Sequence, residues 1–295
     1  MSDGGGAARG IRFVLLAVCL FGAQDGISTY LAERYPVPFF VMIRYWFFAA
    51  FVIVMASRAP GGVPRASQTA MPVMQTIRGV LLVVQILVIV TSFDLIGLGA
   101  THAIFALHPL LATLLAIPIL GEVVGWRRLA AVATGFLGAL VIIRPGGDLF
   151  QPAALVAFAS AVMFAFYTVL TRMTSKADGS AKPAFFYTGT AGAVAATLAG
   201  AWFWSPMTPG DWAWLAALCV MGMSGHYCLI RALDATESVR IQPFIYLQMV
   251  LSQFIGLWVF GEAIAWSTVL GMALIIGAGL YAIWREARLA GAAPG

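Results

Sequence analysis

The sequence predicts an all-α integral membrane protein of ten transmembrane helices, folded as two inverted five-helix repeats with the N- and C-termini cytoplasmic. Composition is the first reason: 61% of the residues are apolar and 10% charged, with a mean hydropathy of +0.93, whereas about a quarter of a soluble domain's residues are charged. No soluble core hides that much apolar surface. The second reason is an internal repeat. The stretch from Ala100-Thr101-His102 through His108-Pro109 and an apolar run to Gly121-Glu122-x-x-x-Trp126 returns 140 positions on, from Glu122 to Glu262, as Gln242-Pro243, Tyr246-Leu247-Gln248, a second apolar run and Gly261-Glu262-x-x-x-Trp266. Two long apolar helices, each interrupted by proline and ended by Gly-Glu, imply two related halves. The third reason is sidedness. With the N-terminus inside, all of the 17 Lys and Arg residues except Arg34, Arg44 and Arg144 fall at inner helix ends, Arg78 among them.

Taken in order, residues 1–11 form a Gly/Ala-rich cytoplasmic tail. Arg9 and Arg12 before the apolar run from Phe13 resemble a signal peptide, but no Ala-x-Ala site follows and the run continues through Gln24-Asp25 to Leu31. Helix 1 is therefore predicted over 12–31, uncleaved. Turn residues and charges delimit further helices over 37–57, 76–97, 99–120 and 127–144, completing a first repeat over 12–147. The second repeat, 148–284, holds helices over 152–172, 184–204, 211–231, 238–260 and 265–284, ahead of a cytoplasmic tail at 285–295. Each span approaches the roughly 20 residues that cross a bilayer. The longest connections, Arg58–Val73 and Arg172–Lys182, are polar and turn-rich and leave no room for a soluble domain. Five helices per half is an odd number, so the second half enters the membrane upside down, with Gly121-Glu122 facing the cytoplasm and Gly261-Glu262 facing outward.

Several functional classes are excluded at this level. The net charge of +5 and the pI near 9.4 come from basic residues in short loops rather than a stripe, which argues for retention of those loops in the cytoplasm and against a nucleic-acid partner. Cys19, Cys219 and Cys228 lie in apolar runs without C-x-x-C spacing, so neither a disulfide framework nor a zinc site is expected. No G-x-x-x-x-G-K-[ST] occurs and the only lysines are Lys176 and Lys182, which disfavours a primary pump. Twelve scattered carboxylates supply no acid cluster, metal set or nucleophile beside a base, so no enzyme and no cofactor is expected.

Arg44 in helix 2, Arg78-Gly79 opening helix 3, the run from Pro109 to Gly121-Glu122, Gly135-x-x-Gly138 to Arg144-Pro145-Gly146, and Pro243-x-x-Tyr246 to Gly261-Glu262 resemble, in order and spacing, the EamA-type members of the drug/metabolite transporter superfamily. The likeness covers nearly the whole chain. It implies paired inverted five-helix repeats around a cavity lined chiefly by helices 1, 3, 4, 6, 8 and 9, and a cargo among small metabolites such as amino acids, nucleosides, riboflavin and S-adenosylmethionine.

The candidate site residues are polar groups at membrane depth. A charge near the bilayer centre costs about 2.5–3.5 kcal/mol, so it persists where it faces protein or water. Asp25 and Arg44 sit at similar depth below the outer ends of helices 1 and 2 and are expected to pair, either as a structural ion pair or in coupling. Arg78, Gln85 and Ser92 share a face of helix 3, where Gln85 suits either a cavity wall or a bond between helices. His102 and His108 lie on helix 4, and Pro109 should kink that helix and free the carbonyl of Phe105 at cavity depth. Pro243 should do the same on helix 9 for Val239. In the second half, Tyr167, Tyr187, His226, Gln242, Tyr246 and Gln248 complete the candidate substrate-binding set, with Gln242 matching His102 and Gln248 matching His108 at the repeat spacing. The Gly-Glu pairs read as helix punctuation, with glycine left-handed and glutamate at the positive N-terminus of the following helix. Trp202, Trp204, Trp212 and Trp214 read as an outer interfacial belt.

Helices 5 and 10 carry small residues (Ala131, Gly135 and Ala139; Gly271, Gly277 and Gly279), which suits peripheral packing or a dimer contact, so monomer and homodimer both stay open. The expected function is secondary transport or facilitated diffusion of a small-molecule substrate through the lipid of a bacterial inner membrane, by alternating access. Neutral amides, hydroxyls and imidazoles favour export of amino acids. The alternatives are a larger ring-containing metabolite, such as riboflavin or S-adenosylmethionine, and a structural membrane protein that transports nothing.

Overall fold

The computed structural model describes residues 3–121, 124–143, 152–179, 182–235 and 238–291. Regular structure among them is helical: α1 (Asp3–Ala32), α2 (Val37–Arg58), α3 (Gly62–Ala66), α4 (Pro72–Ile96), α5 (Leu98–Phe105), α6 (His108–Leu120), α7 (Trp126–Ile143), α8 (Ala154–Asp178), α9 (Lys182–Gly200), α10 (Pro209–Ala235), α11 (Ser238–Val259) and α12 (Trp266–Gly291). Among the described residues, seven helical segments are long and apolar enough to cross a membrane, and three shorter apolar segments run over Leu129–Ile143, Tyr246–Val259 and Trp266–Ala282. In lipid the backbone must satisfy its own polar groups, and a long apolar run does so as helix.

Helix boundaries follow local chemistry. Prolines stand in the first turns of α2, α4 and α6, where a missing N–H is harmless. Gly121 and Gly261 follow α6 and α11 at φ +68 and +66, the left-handed conformation expected of both Gly-Glu pairs. Two connections differ from expectation. Arg58–Val73 contains the short α3, and α8 continues to Asp178 through most of the predicted Arg172–Lys182 loop. Lys and Arg are good helix formers and are solvated at a membrane surface, so polarity alone does not end α8.

The two halves interlock. α1 packs along α10 and α11, α4 along α8 and α9, and α2 along α9. One buried cluster joins α1, α2, α4, α9 and α10 through residues such as Leu31, Tyr45, Phe93 and Leu218, and another joins α6, α7, α8, α11 and α12 through Leu107, Leu110, Ala161 and Ile275. α7 and α12 approach each other through Gly138 and Gly271, where a Cβ on Gly138 would lie 2.6 Å from the carbonyl of Gly271, a backbone approach that only small residues permit; Gly135 instead faces Leu110, and Gly279 faces Tyr246 of α11. Large apolar side chains on the outside, including Trp202 at 89% exposure and Trp266 at 82%, have no protein cover, as lipid-facing and interfacial groups require.

Candidate functional site

Three predicted site residues converge from three helices. The Asp25 carboxylate on α1 accepts a hydrogen bond from Gln248 Nε2 on α11 at 2.9 Å, and its Oδ2 lies 3.1 Å from His102 Nε2 on α5. The imidazole is close but out of line for a hydrogen bond, which leaves Nε2 buried without one. Asp25 and His102 are both buried, and Gln248 is half-buried.

The expected Asp25–Arg44 pair does not form. Arg44 Nη2 donates instead to Gln24 Oε1 at 3.2 Å, and the carboxylate has no Lys or Arg within ion-pair distance among the described residues. Neighbouring residues on a helix point about 100° apart, so α1 turns Gln24 toward α2 and Asp25 toward α5 and α11. Equal depth does not put two side chains on facing surfaces. Gln24 carried no signal of its own beyond its place beside Asp25.

Pro109 breaks its span as predicted: α5 ends at Phe105 and α6 begins at His108. The carbonyl of Phe105, deprived of an N–H four residues on, is bonded by His108 Nδ1 at 3.0 Å, so the freed acceptor is satisfied locally rather than offered to a cavity. The break also sets up a run of rings. His102 stacks on Phe93 at 5.4 Å and meets Phe105 at 6.1 Å; Phe105 and His108 both meet Phe164 of α8, which stacks on Tyr167 at 5.6 Å. Phe105, His108, Phe164 and Tyr167 are all half-buried, so the run leaves part of its ring surface uncovered by protein.

The other candidates scatter. Gln85 is buried and donates to Ser160 Oγ at 2.9 Å, bonding α4 to α8. Tyr187 reaches the carbonyl of Ser67 at 3.4 Å, in the connection ahead of α4, rather than the substrate candidates. His226 is exposed and meets the rings of Phe21 on α1 and Phe48 on α2, at 5.0 and 6.4 Å. Tyr246 does not line a cavity: it is buried with its hydroxyl against Gly279 of α12. Tyr246, Met249 and Gln253 form the packing face of α11, and Gln248, set off from that stripe, is the one that faces α1. The side chains of Gln242 and Pro243 lie outside the described residues.

Two groups read as peripheral are structural centres. Arg78, counted as an inner-end cation, is 1% exposed. Its Nε donates to Gln75 Oε1 at 3.1 Å, Nη1 to Thr171 Oγ1 at 3.2 Å, and Nη2 to Thr188 Oγ1 at 2.8 Å and to the carbonyl of Ala184, while the guanidinium lies 5.1 Å from the Tyr167 ring centre. Gln75 in turn donates to Asp178 at 2.9 Å. The guanidinium thus ties α4 to α8 and α9 at the end of the ring run. Glu262 does not cap the following helix. Its carboxylate accepts Leu98 N at 2.6 Å and Gly99 N at 3.0 Å, at the start of α5. α12 begins only at Trp266, so the carboxylate swings to the nearer set of free N–H groups. Glu122 lies outside the described residues.

A multi-pass helical membrane protein with an interior carboxylate and a half-buried ring face is thus defined by its fold and geometry. The sequence profile of the EamA-like transporter family matches residues 8–144 and again 151–284, and the chain belongs to that family, within the drug/metabolite transporter superfamily. It is 27% identical to an S-adenosylmethionine uptake transporter of Rickettsia prowazekii, over 94% of this chain and 93% of the relative. It is also 27% identical to a riboflavin transporter of Brucella anthropi, over 90% of this chain and 96% of the relative. A crystal structure described only as that of a protein matches with a TM-score of 0.62 and 20% identity, covering 97% of this chain and 99% of the other, and shows the fold alone.

Proposed function

We propose that the protein is a secondary transporter or facilitator that carries a small, ring-bearing metabolite across a bacterial inner membrane, exposing it to one side at a time. Asp25 beside the ring run is the observation that carries this reading. A buried carboxylate with no Lys or Arg at ion-pair distance among the described residues suits a positively charged group, and half-buried ring faces suit a planar heterocycle. S-Adenosylmethionine has both, in its sulfonium, ammonium and adenine groups; riboflavin offers the ring alone and is the second reading. Export of amino acids, expected from the neutral residue types, draws no support from the named relatives, and small aliphatic solutes leave the ring surface unused.

Asp25, His102, Gln248, His108, Tyr167 and His226 are the residues assigned to the substrate path. Seven long spans and three shorter apolar helices support ten crossings, and the cation distribution supports cytoplasmic termini. The doubled family match supports two repeats of opposite orientation.

Uptake of labelled S-adenosylmethionine, riboflavin, threonine, methionine and phenylalanine into proteoliposomes tests the assignment, with Gln248→Ala as a site variant. Saturable S-adenosylmethionine flux, weakened in the variant, is expected. Saturable flux of threonine and methionine alone would restore the amino-acid reading, and no flux of any solute would defeat the proposal.

A further inference from the structure

The contact between Glu262 and α5 joins the two halves at the face that the cation distribution makes the outer one. Glu262 follows α11 in the second half, and α5 belongs to the first. Its two oxygens take the first two N–H groups of α5, at 2.6 and 3.0 Å, where a carboxylate meets both charge-assisted hydrogen bonds and the positive end of the helix dipole. A third bond lies just inside: Gln253 Nε2 of α11 donates to the carbonyl of Gly99 at 2.6 Å. The space is built for the carboxylate, since a Cβ on Gly97 would lie 2.8 Å, on Gly99 3.2 Å and on Gly256 2.5 Å from its oxygens.

The other half of the same span behaves differently. Beyond the break at Ala106-Leu107, α6 lies along α8 and α7, whereas α5, which also touches α8 and α4, lies chiefly along α11. The two proline-bearing spans therefore meet at the outer end. Farther in, α6 packs chiefly on α8, with the half-exposed His108 as its first residue.

We infer that Glu262 is the latch of an outer gate: its grip on the N-terminus of α5, backed by Gln253, holds the substrate path closed to the outside, and transport requires its release. This rests on the alternating-access reading above. The repeat supplies a counterpart in Glu122, 140 positions earlier in the same Gly-Glu motif, and assigns it the opposite effect on sidedness.

The latch is tested without substrate, so failure of the transport reading and failure of the latch are separate results. Ser92 is fully buried on α4 and bonded to Thr101 of α5 at 3.0 Å, inside the latch. Ser92→Cys is placed in a chain carrying Cys19→Ala, Cys219→Ala and Cys228→Ala, reconstituted in vesicles and exposed from the outer face to a membrane-impermeant maleimide. Adding Glu262→Gln is expected to raise the labelling rate roughly tenfold, the scale of a lost charge-assisted bond to a helix end, while Glu122→Gln leaves it unchanged or lower. A folded Glu262→Gln protein labelled at the parent rate overturns the inference. So does a lower melting temperature with labelling raised equally from both faces, which is what a simple helix cap would give. Should Glu262→Gln not fold, Gln253→Ala, which removes only the bond to the Gly99 carbonyl, gives the same reading with a smaller rise expected, and no rise in it counts against the latch.

Discussion

Arg78 and Asp25 are both buried charges inside the helical bundle, and their surroundings are opposite. Arg78 spends its donors on four fixed acceptors from α4, α8 and α9 and rests near a tyrosine ring. Among the described residues Asp25 has one amide donor and a misaligned imidazole. A buried charge whose hydrogen bonds are all made by the protein locks helices together. One that is left partly unsatisfied beside a half-buried ring face is, on the proposed function, the group that meets the solute. Burial alone does not distinguish the two; the inventory of partners does.

The largest effect should come from breaking the lock. Arg78→Ala removes the four bonds to Gln75, Thr171, Thr188 and the Ala184 carbonyl and is expected to lower stability by about 3–5 kcal/mol, read as a collapsed melting transition in detergent; Arg78→Lys, which keeps charge without the planar fork, should recover part of it. An alanine variant as stable as the parent would erase the distinction. Asp25→Asn is expected to do the reverse, leaving the melting temperature within a few degrees because the amide oxygen still accepts from Gln248, while S-adenosylmethionine flux falls at least about tenfold, or about 1.4 kcal/mol. Parent-level flux would make Asp25 a second structural charge. The smallest effect belongs to Ser160→Ala, which removes the partner of Gln85 and should cost about 1 kcal/mol of stability with KM unchanged; a several-fold change in KM would return Gln85 to the cavity wall.

What could be read in advance divides along the same line. The break at Pro109 was legible because it follows from a missing N–H four residues from a carbonyl, and the left-handed Gly121 and Gly261 were legible because each sits at the end of one apolar run. The pairing of Asp25 was not, because it depends on which way α1 is rotated against its neighbours. Arg78 read as a cation at an inner helix end because its position near a helix start says nothing about the helices packed around it. Tyr246 and Gln248 are two residues apart on α11, and only packing against α12 and α1 shows that one is core and the other faces the interior.

The sequence by itself determined that the chain lies in a membrane, where its apolar helices run, that its two halves are related, and where the fourth predicted span bends. Each of these is set by transfer of side chains from water or by backbone chemistry within a few residues. The tertiary structure decided the partners of Asp25, the enclosure of Arg78 and the seat of Glu262 on α5. Those contacts include ones between residues 223, 93 to 110 and 163 to 164 positions apart, and their geometry is fixed by helix rotation and packing, which no local pattern encodes.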